Sequence, residues 1–269
     1  MKMDLGLQGK AALVTGAHRG TGRAIAHALA REGVRVAVHG HEPGEADEAA
    51  AEIRAAGGEA VSIWGLLTQD EGALSVARQA HEALGPIDIL INNYGTAEAG
   101  SWARTNIDGW IEAYEKNVLS IVRLTKLLAD PMKERGWGRI IMLGTVGSTE
   151  PAARMPAYYS AKGALHTMTV SLAKELARTG VNVNLVSPGL IRTREVEERF
   201  LEKGRREGWG ATWEEIEPRV LESFMDNLTG HIPRTEEVAD LVCYLASPRA
   251  DAITAANFRI DGGSSALAI

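Results

Sequence analysis

The sequence contains one cysteine, Cys243, among its 269 residues. A single cysteine excludes an intrachain disulfide, and its apolar neighbours indicate a small core residue in a protein of a reducing compartment. No stretch approaches the roughly 18 consecutive apolar residues of a membrane-spanning helix. The amino terminus also lacks the apolar run behind a basic start that marks a secretion signal. We therefore expect a cytoplasmic protein with no membrane partner.

Positive charge is not in excess. The chain has 29 Lys and Arg residues against 35 Asp and Glu residues, so its formal net charge is -6. Because nucleic-acid and anionic-membrane surfaces need a basic stripe, this balance favours a small-molecule substrate and predicts no nucleic-acid partner. With 45% hydrophobic residues and no repeat, linker or low-complexity segment, residues 1–269 are expected to form a single domain.

Short apolar runs alternate with stretches of helical periodicity. Seven runs predict strands, at residues 11–14, 34–38, 60–64, 87–91, 139–143, 181–186 and 256–260. Strands that alternate with helices form a parallel sheet with helices on both faces, wound by right-handed crossovers. The predicted fold class is therefore α/β, a Rossmann-type doubly wound sheet of about seven strands, which binds ligands beyond the carboxyl ends of its strands.

The helical stretches differ in character. An alanine-rich helix is predicted over residues 45–56, and a long helical stretch over about residues 107–135. The segment of about residues 194–232 is highly charged and carries scattered aromatic residues, which predicts a helical lid over the carboxyl edge of the sheet.

A glycine-rich turn follows the first strand and precedes a helix. Gly16 permits a tight turn, Gly20 lets backbone N–H groups approach a pyrophosphate, and Gly22 lets the helix pack closely on the strand. Arg19 and Thr21 lie in the same turn. This order of strand, turn and helix predicts a dinucleotide site rather than an ordinary loop.

The second strand ends at His39-Gly40-His41-Glu42, where the adenosine ribose would lie. An acidic residue at the strand end would bind the 2′-hydroxyl of NAD, whereas basic neighbours suit the 2′-phosphate of NADP. Because His41 and Arg19 can bind a phosphate, NADP is the predicted cofactor and NAD the alternative. The alternative interpretation of His39 and His41 is a solvated strand end. Their i, i+2 spacing without a third ligand argues against a metal site.

A tyrosine and a lysine lie four residues apart in Tyr158-Tyr159-Ser160-Ala161-Lys162, within a helix that Pro156 can begin. This spacing places the Tyr158 phenol and the Lys162 ammonium on one helix face. A nearby cation lowers the pKa of a phenol from about 10, which predicts a general acid or base. Taken alone, the pattern also fits a partly buried tyrosine beside a solvated lysine.

Several segments occur together in a fixed order. Residues 15–22 read Thr-Gly-Ala-His-Arg-Gly-Thr-Gly, residues 92–95 read Asn-Asn-Tyr-Gly, and Pro188-Gly189 is followed by Thr193. With Tyr158 and Lys162, they match the signature of the short-chain dehydrogenase/reductase family, which the chain resembles over nearly its whole length. The resemblance implies a single Rossmann-type domain with seven parallel strands, in dimers or tetramers.

The same resemblance implies the site residues. Asn117, which alone would indicate only a surface or packing asparagine, falls on the family's catalytic asparagine, and Thr145 falls on its catalytic serine. Thr145 keeps a hydroxyl donor but adds a methyl group and a stiffer side-chain torsion. Ser148 is a nearby substitute at the wrong distance from Tyr158. The implied cofactor contacts, beyond the glycine turn, His41, Tyr158 and Lys162, are Asn93, Tyr94, Gly95, Pro188, Gly189, Ile191 and Thr193.

Tyr94 is a further departure from the family pattern. Tyr94 replaces the family's small alanine, and it either lines the pocket or fills core.

In the implied reaction the cofactor transfers a hydride, Tyr158 supplies the proton and Thr145 a second hydrogen bond to the substrate oxygen. Lys162 lowers the Tyr158 pKa and binds the nicotinamide ribose, while Asn117 positions a water molecule.

The expected activity is hydride transfer between NAD(P) and a ketone or secondary alcohol. Two alternatives remain open at this point. One is a reductase of 3-oxoacyl thioesters on an acyl carrier protein, which would need a basic landing surface on the lid. The other is a catalytically silent cofactor-binding sensor or scaffold, because a fold does not determine a function.

Overall fold

The structure is a computed structural model that describes residues 4–265. The strands are β1 (Ala11–Val14), β2 (Arg35–Gly40), β3 (Glu59–Trp64), β4 (Ile89–Asn92), β5 (Gly138–Leu143), β6 (Val181–Pro188) and β7 (Asn257–Ile260). They form one parallel sheet in the order β3-β2-β1-β4-β5-β6-β7. The predicted doubly wound α/β fold of seven strands is confirmed.

Helices cover both faces of this sheet. They are α1 (Gly20–Arg31), α2 (Asp47–Ala55), α3 (Asp70–Leu84), α4 (Ile107–Tyr114), α5 (Ser120–Glu134), α6 (Pro156–Glu175), α7 (Arg194–Glu207), α8 (Trp213–Phe224) and α9 (Thr235–Ala246). Among residues 4–265, no helix combines the length and the apolar character that crossing a bilayer requires.

The core consists of one apolar cluster on each face of the sheet. Side chains alternate along β1, so Ala12 and Val14 pack with α1, α2 and α9, whereas Ala11 and Leu13 pack with α3, α5 and α6. Burial on both faces explains why the strands appear in the sequence as continuous apolar runs.

The strand order reverses at β1. Its neighbours are β2 on one side and β4 on the other, so the chain crosses over after β3 to continue the sheet in the opposite direction. Loops that leave β1 and β4 therefore diverge and open a crevice at the carboxyl edge, which is where ligands bind in such sheets. The glycine turn follows β1 and the Asn-Asn-Tyr-Gly segment begins at the end of β4.

The helix predicted over residues 107–135 is interrupted by a π-helical turn at Glu115–Leu119, between α4 and α5. Asn117 lies in this turn, and its Nδ2 donates to the carbonyl oxygens of Ala113 at 3.0 Å and Thr96 at 3.1 Å. A side chain that competes for helix carbonyls disturbs the regular ladder, and π turns are frequent at functional sites. The predicted long helical stretch is therefore confirmed, and the π turn inside it is the feature that the periodicity did not indicate.

The lid helices α7 and α8 have an apolar cluster of their own, made of Phe200, Trp213, Ile216, Val220, Leu221 and Ile232. The entry and exit of the lid are bonded to each other, because the N–H of Arg192 donates to the carbonyl of Pro233 at 2.8 Å. Beyond α8, the N–H of Leu228 donates to the carbonyl of Gly262, just after β7, at 2.8 Å. The segment predicted to be helical therefore forms α7 and α8, and the chain beyond them bonds to the segment that follows β7.

Candidate active site

The glycine turn between β1 and α1 is built by close backbone approach. Gly16 and Gly20 have φ angles of +59° and +53°, in the left-handed region that favours glycine. A Cβ on Gly22 would lie 2.4 Å from Nδ2 of Asn93, so a side chain there would displace that amide. Nδ2 of Asn93 in turn donates to the carbonyls of Thr15 at 2.9 Å and Gly16 at 3.0 Å. Asn93 therefore braces the turn.

The first turn of α1 keeps its backbone N–H groups open. Arg19 is the N-cap residue with extended backbone, no side chain in the described chain caps the helix, and its first turn holds no acidic residue. Unpaired N–H groups and the positive end of the helix dipole form an anion site. Arg19 is exposed and Thr21 half-buried beside this helix end. The turn thus fits the pyrophosphate of a dinucleotide.

Thr15 is a functional residue to which sequence reasoning gave no role. Its Oγ1 donates to the carbonyl of Ile91 at 3.2 Å and accepts from the N–H groups of Asn93 at 3.0 Å and Tyr94 at 2.9 Å. One hydroxyl therefore joins the ends of β1 and β4 across the crevice. Its place at the head of the glycine motif was the available signal.

Four predicted catalytic side chains converge beyond β4 and β5. The phenol of Tyr158, on α6, lies beside the side chain of Thr145, which follows β5 and lowers the Tyr158 pKa. A Cβ on Gly95 would lie 2.4 Å from Oδ1 of Asn117 and 3.1 Å from Nζ of Lys162. Both polar atoms therefore face the same short stretch of backbone after β4.

Burial determines the protonation of the two central groups. It raises the pKa of Tyr158 to about 12, with a further rise from Tyr159 and an opposing hydrogen bond from Thr145. Burial also lowers the pKa of Lys162 to about 8. The expectation that Lys162 lowers the Tyr158 pKa below its usual value is wrong for this structure, because loss of hydration dominates. At neutral pH Tyr158 is a phenol with a proton to give.

Asn117 presents an unpaired acceptor. Its side chain is fully buried, and within residues 4–265 its Oδ1 has no hydrogen-bond partner. Since buried polar atoms are normally paired, this oxygen marks a position where a water molecule or a ligand hydroxyl would bind.

Ser148 does not replace Thr145. Its Oγ donates to the backbone carbonyl of Thr145 at 2.5 Å and lies 2.8 Å from Nε2 of His166. A hydroxyl has a single proton, so Nε2 of His166 must be the donor in the second contact. Ser148 thus fixes the backbone of Thr145. His166 escaped sequence reasoning, although it lies one turn beyond Lys162 on α6.

At His39 the end of β2 is buried, unlike the solvated strand end that was the alternative interpretation of the sequence. His39 is fully buried; its Nδ1 accepts from the N–H of Gly16 at 3.1 Å, and its Nε2 bonds to the carbonyl of Gly65 at 2.9 Å. Because a carbonyl only accepts, Nε2 carries the proton. Burial lowers the pKa of His39 to about 4, so it remains neutral and joins the glycine turn to β3.

His41 and Tyr94 meet above the end of β1. Their ring centroids are 4.3 Å apart in an edge-on arrangement, although one follows β2 and the other follows β4. Tyr94 is half-buried and packs on the apolar cluster of the α3, α5 and α6 face. It therefore both lines the crevice and extends the core, which were the two alternatives left open by the sequence.

The segment after β6 closes the carboxyl edge on the other side. Pro188 ends β6, the N–H of Gly189 bonds to the last residue of β7 at 3.1 Å, and Ile191 packs on the core. Thr193 is the N-cap of α7. Its Cγ2 lies 3.7 Å from the position of a Cβ on Gly20, so this segment borders the glycine turn.

Comparison with known proteins identifies the family. The sequence profile of the short chain dehydrogenase family matches residues 10–204. The chain belongs to this family. It is 31% identical over 265 residues to the 7alpha-hydroxysteroid dehydrogenase of Clostridium sardiniense, covering 96% of this chain and 94% of the relative. It is 32% identical over 259 residues to the 3-oxoacyl-[acyl-carrier-protein] reductase of Escherichia coli, and the match covers 96% of this chain and 98% of that reductase.

A solved structure of the family has nearly the same fold. The L-sorbose reductase of Gluconobacter frateurii, complexed with NADPH and L-sorbose, superposes with a TM-score of 0.91 at 28% identity. The match covers 98% of this chain and 100% of the reductase. The family resemblance read from the sequence motifs is confirmed.

Proposed function

We propose that this protein is an NADP-dependent oxidoreductase that transfers a hydride between the nicotinamide and a ketone or secondary alcohol. The observation that carries the proposal is the convergence of the site: Oδ1 of Asn117 and Nζ of the buried Lys162 face the backbone at Gly95, and Tyr158 lies beside Thr145. It aligns a protonated phenol and a hydroxyl so that both can reach one substrate oxygen. Residues 1–269 act as one dinucleotide-binding and catalytic domain.

Several residues of the chain would hold the dinucleotide. The open N–H groups at the start of α1, with Arg19, suit the pyrophosphate, and His41 suits the adenosine end. Gly189 and Thr193 border the glycine turn from the β6 side. NADP is favoured over NAD by these basic groups and by the NADPH bound to the sorbose reductase. When bound, the cofactor supplies or accepts the hydride.

The chain's own groups then act at the substrate oxygen. Negative charge grows there as a carbonyl is reduced, so hydrogen-bond donors in place beforehand stabilise the transition state. Tyr158 donates the proton and Thr145 donates the second hydrogen bond. Lys162 is an ammonium next to the site, and the unpaired Oδ1 of Asn117 holds a water molecule that returns a proton towards Tyr158. Alcohol oxidation uses the same groups in reverse.

The lid weakens the thioester alternative. A carrier-protein reductase would need exposed, unpaired cations near the entrance, and six basic residues lie between residues 192 and 206. Arg192 binds Glu197 through two bonds of 2.9 and 2.8 Å, and Arg194 binds Glu198 at 2.7 Å. Neighbouring carboxylates therefore neutralise part of this surface. A free ketone or secondary alcohol fits the entrance better, with Tyr94 and Leu190 among the expected walls.

The setting of the enzyme is also a proposal. We infer a cytoplasmic dimer or tetramer. A buried cysteine, Cys243, suits a reducing compartment. Ile107 and Ile111 on α4 are 74% and 60% exposed, which suits burial against another copy of the chain.

A cofactor-oxidation screen tests the activity. Purified protein is mixed with NADPH or NADH and with separate panels of ketones, ketoses, steroid ketones and 3-oxoacyl thioesters. Oxidation of NADPH by one class of free ketone is the expected result. Turnover confined to thioesters would instead establish the carrier-protein alternative, and tight NADPH binding without turnover on any panel would establish the sensor or scaffold.

A further inference from the structure

A carboxylate occupies the end of β2, although the strand itself ends without an acidic residue. Glu45 accepts hydrogen bonds through Oε2 from the backbone N–H groups of His41 at 2.5 Å and Glu42 at 3.2 Å. Its side chain lies over Gly40, where an added Cβ would be 2.9 Å from Cβ of Glu45 and 3.0 Å from Oε2. The absence of a side chain at Gly40 therefore makes room for Glu45.

The surroundings of this carboxylate form an anion site. Oε1 of Glu45 lies 3.3 Å from Nε2 of His18, which belongs to the glycine turn. Burial opposes ionisation, but the two N–H groups and the neighbouring imidazoles hold the pKa of Glu45 below its usual value. Glu45 is thus anionic at neutral pH, and two N–H donors and an imidazole are directed at one negative group.

This site lies where the two cofactors differ. In a doubly wound sheet the adenosine ribose lies at the end of the second strand, so its 2′-substituent approaches the residues after β2. A 2′-phosphate seeks N–H donors and cations, which Glu45 already uses. A 2′-hydroxyl can instead donate to the carboxylate. Two anions on the same donors repel each other, so phosphate and carboxylate cannot share them.

We propose that Glu45 competes with the 2′-phosphate of NADP for the N–H groups of His41 and Glu42, and so limits the preference for NADP over NAD. The inference rests on the proposed function, since it concerns the cofactor of that reaction. NADP binding requires the carboxylate to leave these N–H groups and its contact with His18. NAD binding leaves Glu45 in place.

The position of Glu45 could not be read from the sequence pattern. Residues 45–56 were predicted as one helix, which would direct Glu45 along the helix surface. The structure begins α2 at Asp47, and Gly44 has a φ angle of +82°, which turns the chain back towards β2. Glu45 therefore lies in the loop and not in the helix.

Binding of the two dinucleotides to three variants tests the inference. Glu45→Gln keeps the shape and the acceptor oxygen, so it preserves the loop, while Glu45→Ala removes the group. Glu42→Gln is the matched control, because it removes the same charge from an exposed side chain three residues away but leaves Glu45 on its N–H donors. Dissociation constants for NADPH and NADH are measured by calorimetry, with adenosine 2′-phosphate and adenosine 5′-phosphate as smaller probes.

We expect the ratio of the NADH to the NADPH dissociation constant to rise about tenfold in Glu45→Ala and at least about threefold in Glu45→Gln. In Glu42→Gln the same ratio should change less than about twofold. Adenosine 2′-phosphate should gain affinity in parallel. An unchanged ratio in both Glu45 variants, or a shift towards NADH, would overturn the role of Glu45 but leave the proposed function standing. Failure of the wild type and all variants to bind either dinucleotide would overturn the proposed function as well.

Discussion

The ammonium of Lys162 donates a hydrogen bond to the backbone carbonyl of Leu143, with 2.7 Å between Nζ and the oxygen. This bond joins α6 to the carboxyl end of β5 and holds the lysine 97% buried, since only 3% of it is exposed. A carbonyl brings no full negative charge, so burial lowers the pKa of Lys162 to about 8. The same helix then presents Tyr158 to Thr145.

Replacing Tyr158 by phenylalanine should remove the proton donor. We expect kcat to fall at least about 100-fold, the usual contribution of a general acid, while the NADPH dissociation constant stays within about twofold. Steady-state kinetics and calorimetry measure the two quantities. Tyr159→Phe is the control, because that ring packs against Gly147 and keeps its shape without the hydroxyl. A largely active Tyr158→Phe enzyme would exclude Tyr158 from the mechanism.

Thr145 should be replaceable by serine but not by alanine. Thr145→Ala loses the hydroxyl beside the Tyr158 phenol, and we expect kcat/KM to fall about 100- to 1,000-fold, as for other donors to a developing oxyanion. Thr145→Ser keeps the hydroxyl and should stay within about fivefold of the wild type. If the alanine variant kept full activity, the second hydrogen bond would have to come from another group.

Gly95→Ala should damage the site without touching a catalytic side chain. The new Cβ would lie 2.4 Å from Oδ1 of Asn117 and 3.1 Å from Nζ of Lys162, so both would have to shift. We expect a loss of at least about tenfold in kcat/KM, since small displacements of positioned groups are costly. Gly163 directly follows Lys162 in the sequence, and a Cβ there would lie 3.9 Å from the carbonyl oxygen of Ser148, an ordinary contact. Gly163→Ala should therefore keep activity and stabilise α6 by about 0.5–1 kcal/mol. Equal activity of the two variants would contradict this account.

His39 should make folding stability depend on pH. Its pKa falls from 6.5 to about 4 on folding, so the unfolded chain binds more protons between these values. The stability contribution is complete above about pH 6.5 and is lost as the pH falls towards about 4. The slope from this group is at most about 1.4 kcal/mol per pH unit. Urea unfolding across this range measures it.

The control for this prediction is His39→Gln, which offers a donor and an acceptor but does not titrate. We expect its unfolding free energy to decline less steeply as the pH falls. The two slopes should differ by up to about 1.4 kcal/mol per pH unit, which corresponds to one bound proton. An identical pH dependence in both proteins would show that His39 protonates equally in the folded and unfolded chains.

The sequence predicts those parts of the structure that depend on local pattern. The seven strands were predicted from apolar runs, because strands buried on both faces are apolar throughout. The glycine turn predicted the dinucleotide site after the first strand, where the strand order reverses. The π turn at Asn117 was not predicted, and the hydrogen bond that Asn117 makes there to Thr96, 21 residues away along the chain, leaves no local pattern in the sequence. His39 was missed for a similar reason, because its partners Gly16 and Gly65 come together with it only when β1, β2 and β3 are paired. Glu45 was missed because α2 begins at Asp47 and leaves Glu45 in the loop.

The electrostatics of the site were harder still to predict. Spacing placed Tyr158 and Lys162 on one helix face, as the structure has them, but it could not give their burial. Burial, and not their sequence separation, raises the pKa of Tyr158 and lowers the pKa of Lys162.

The bond between Arg192 and Pro233 has a consequence for how this enzyme can be redesigned. Because the residues on either side of the lid are hydrogen-bonded to each other, the lid is a loop with closed ends and its own apolar cluster. Lengthening a closed surface loop costs only about 0.6 kcal/mol per doubling. Residues 208–212, between α7 and α8, are therefore a suitable place to vary loop length in a library for new substrates. Such changes leave the sheet and the positions of the catalytic groups unaltered.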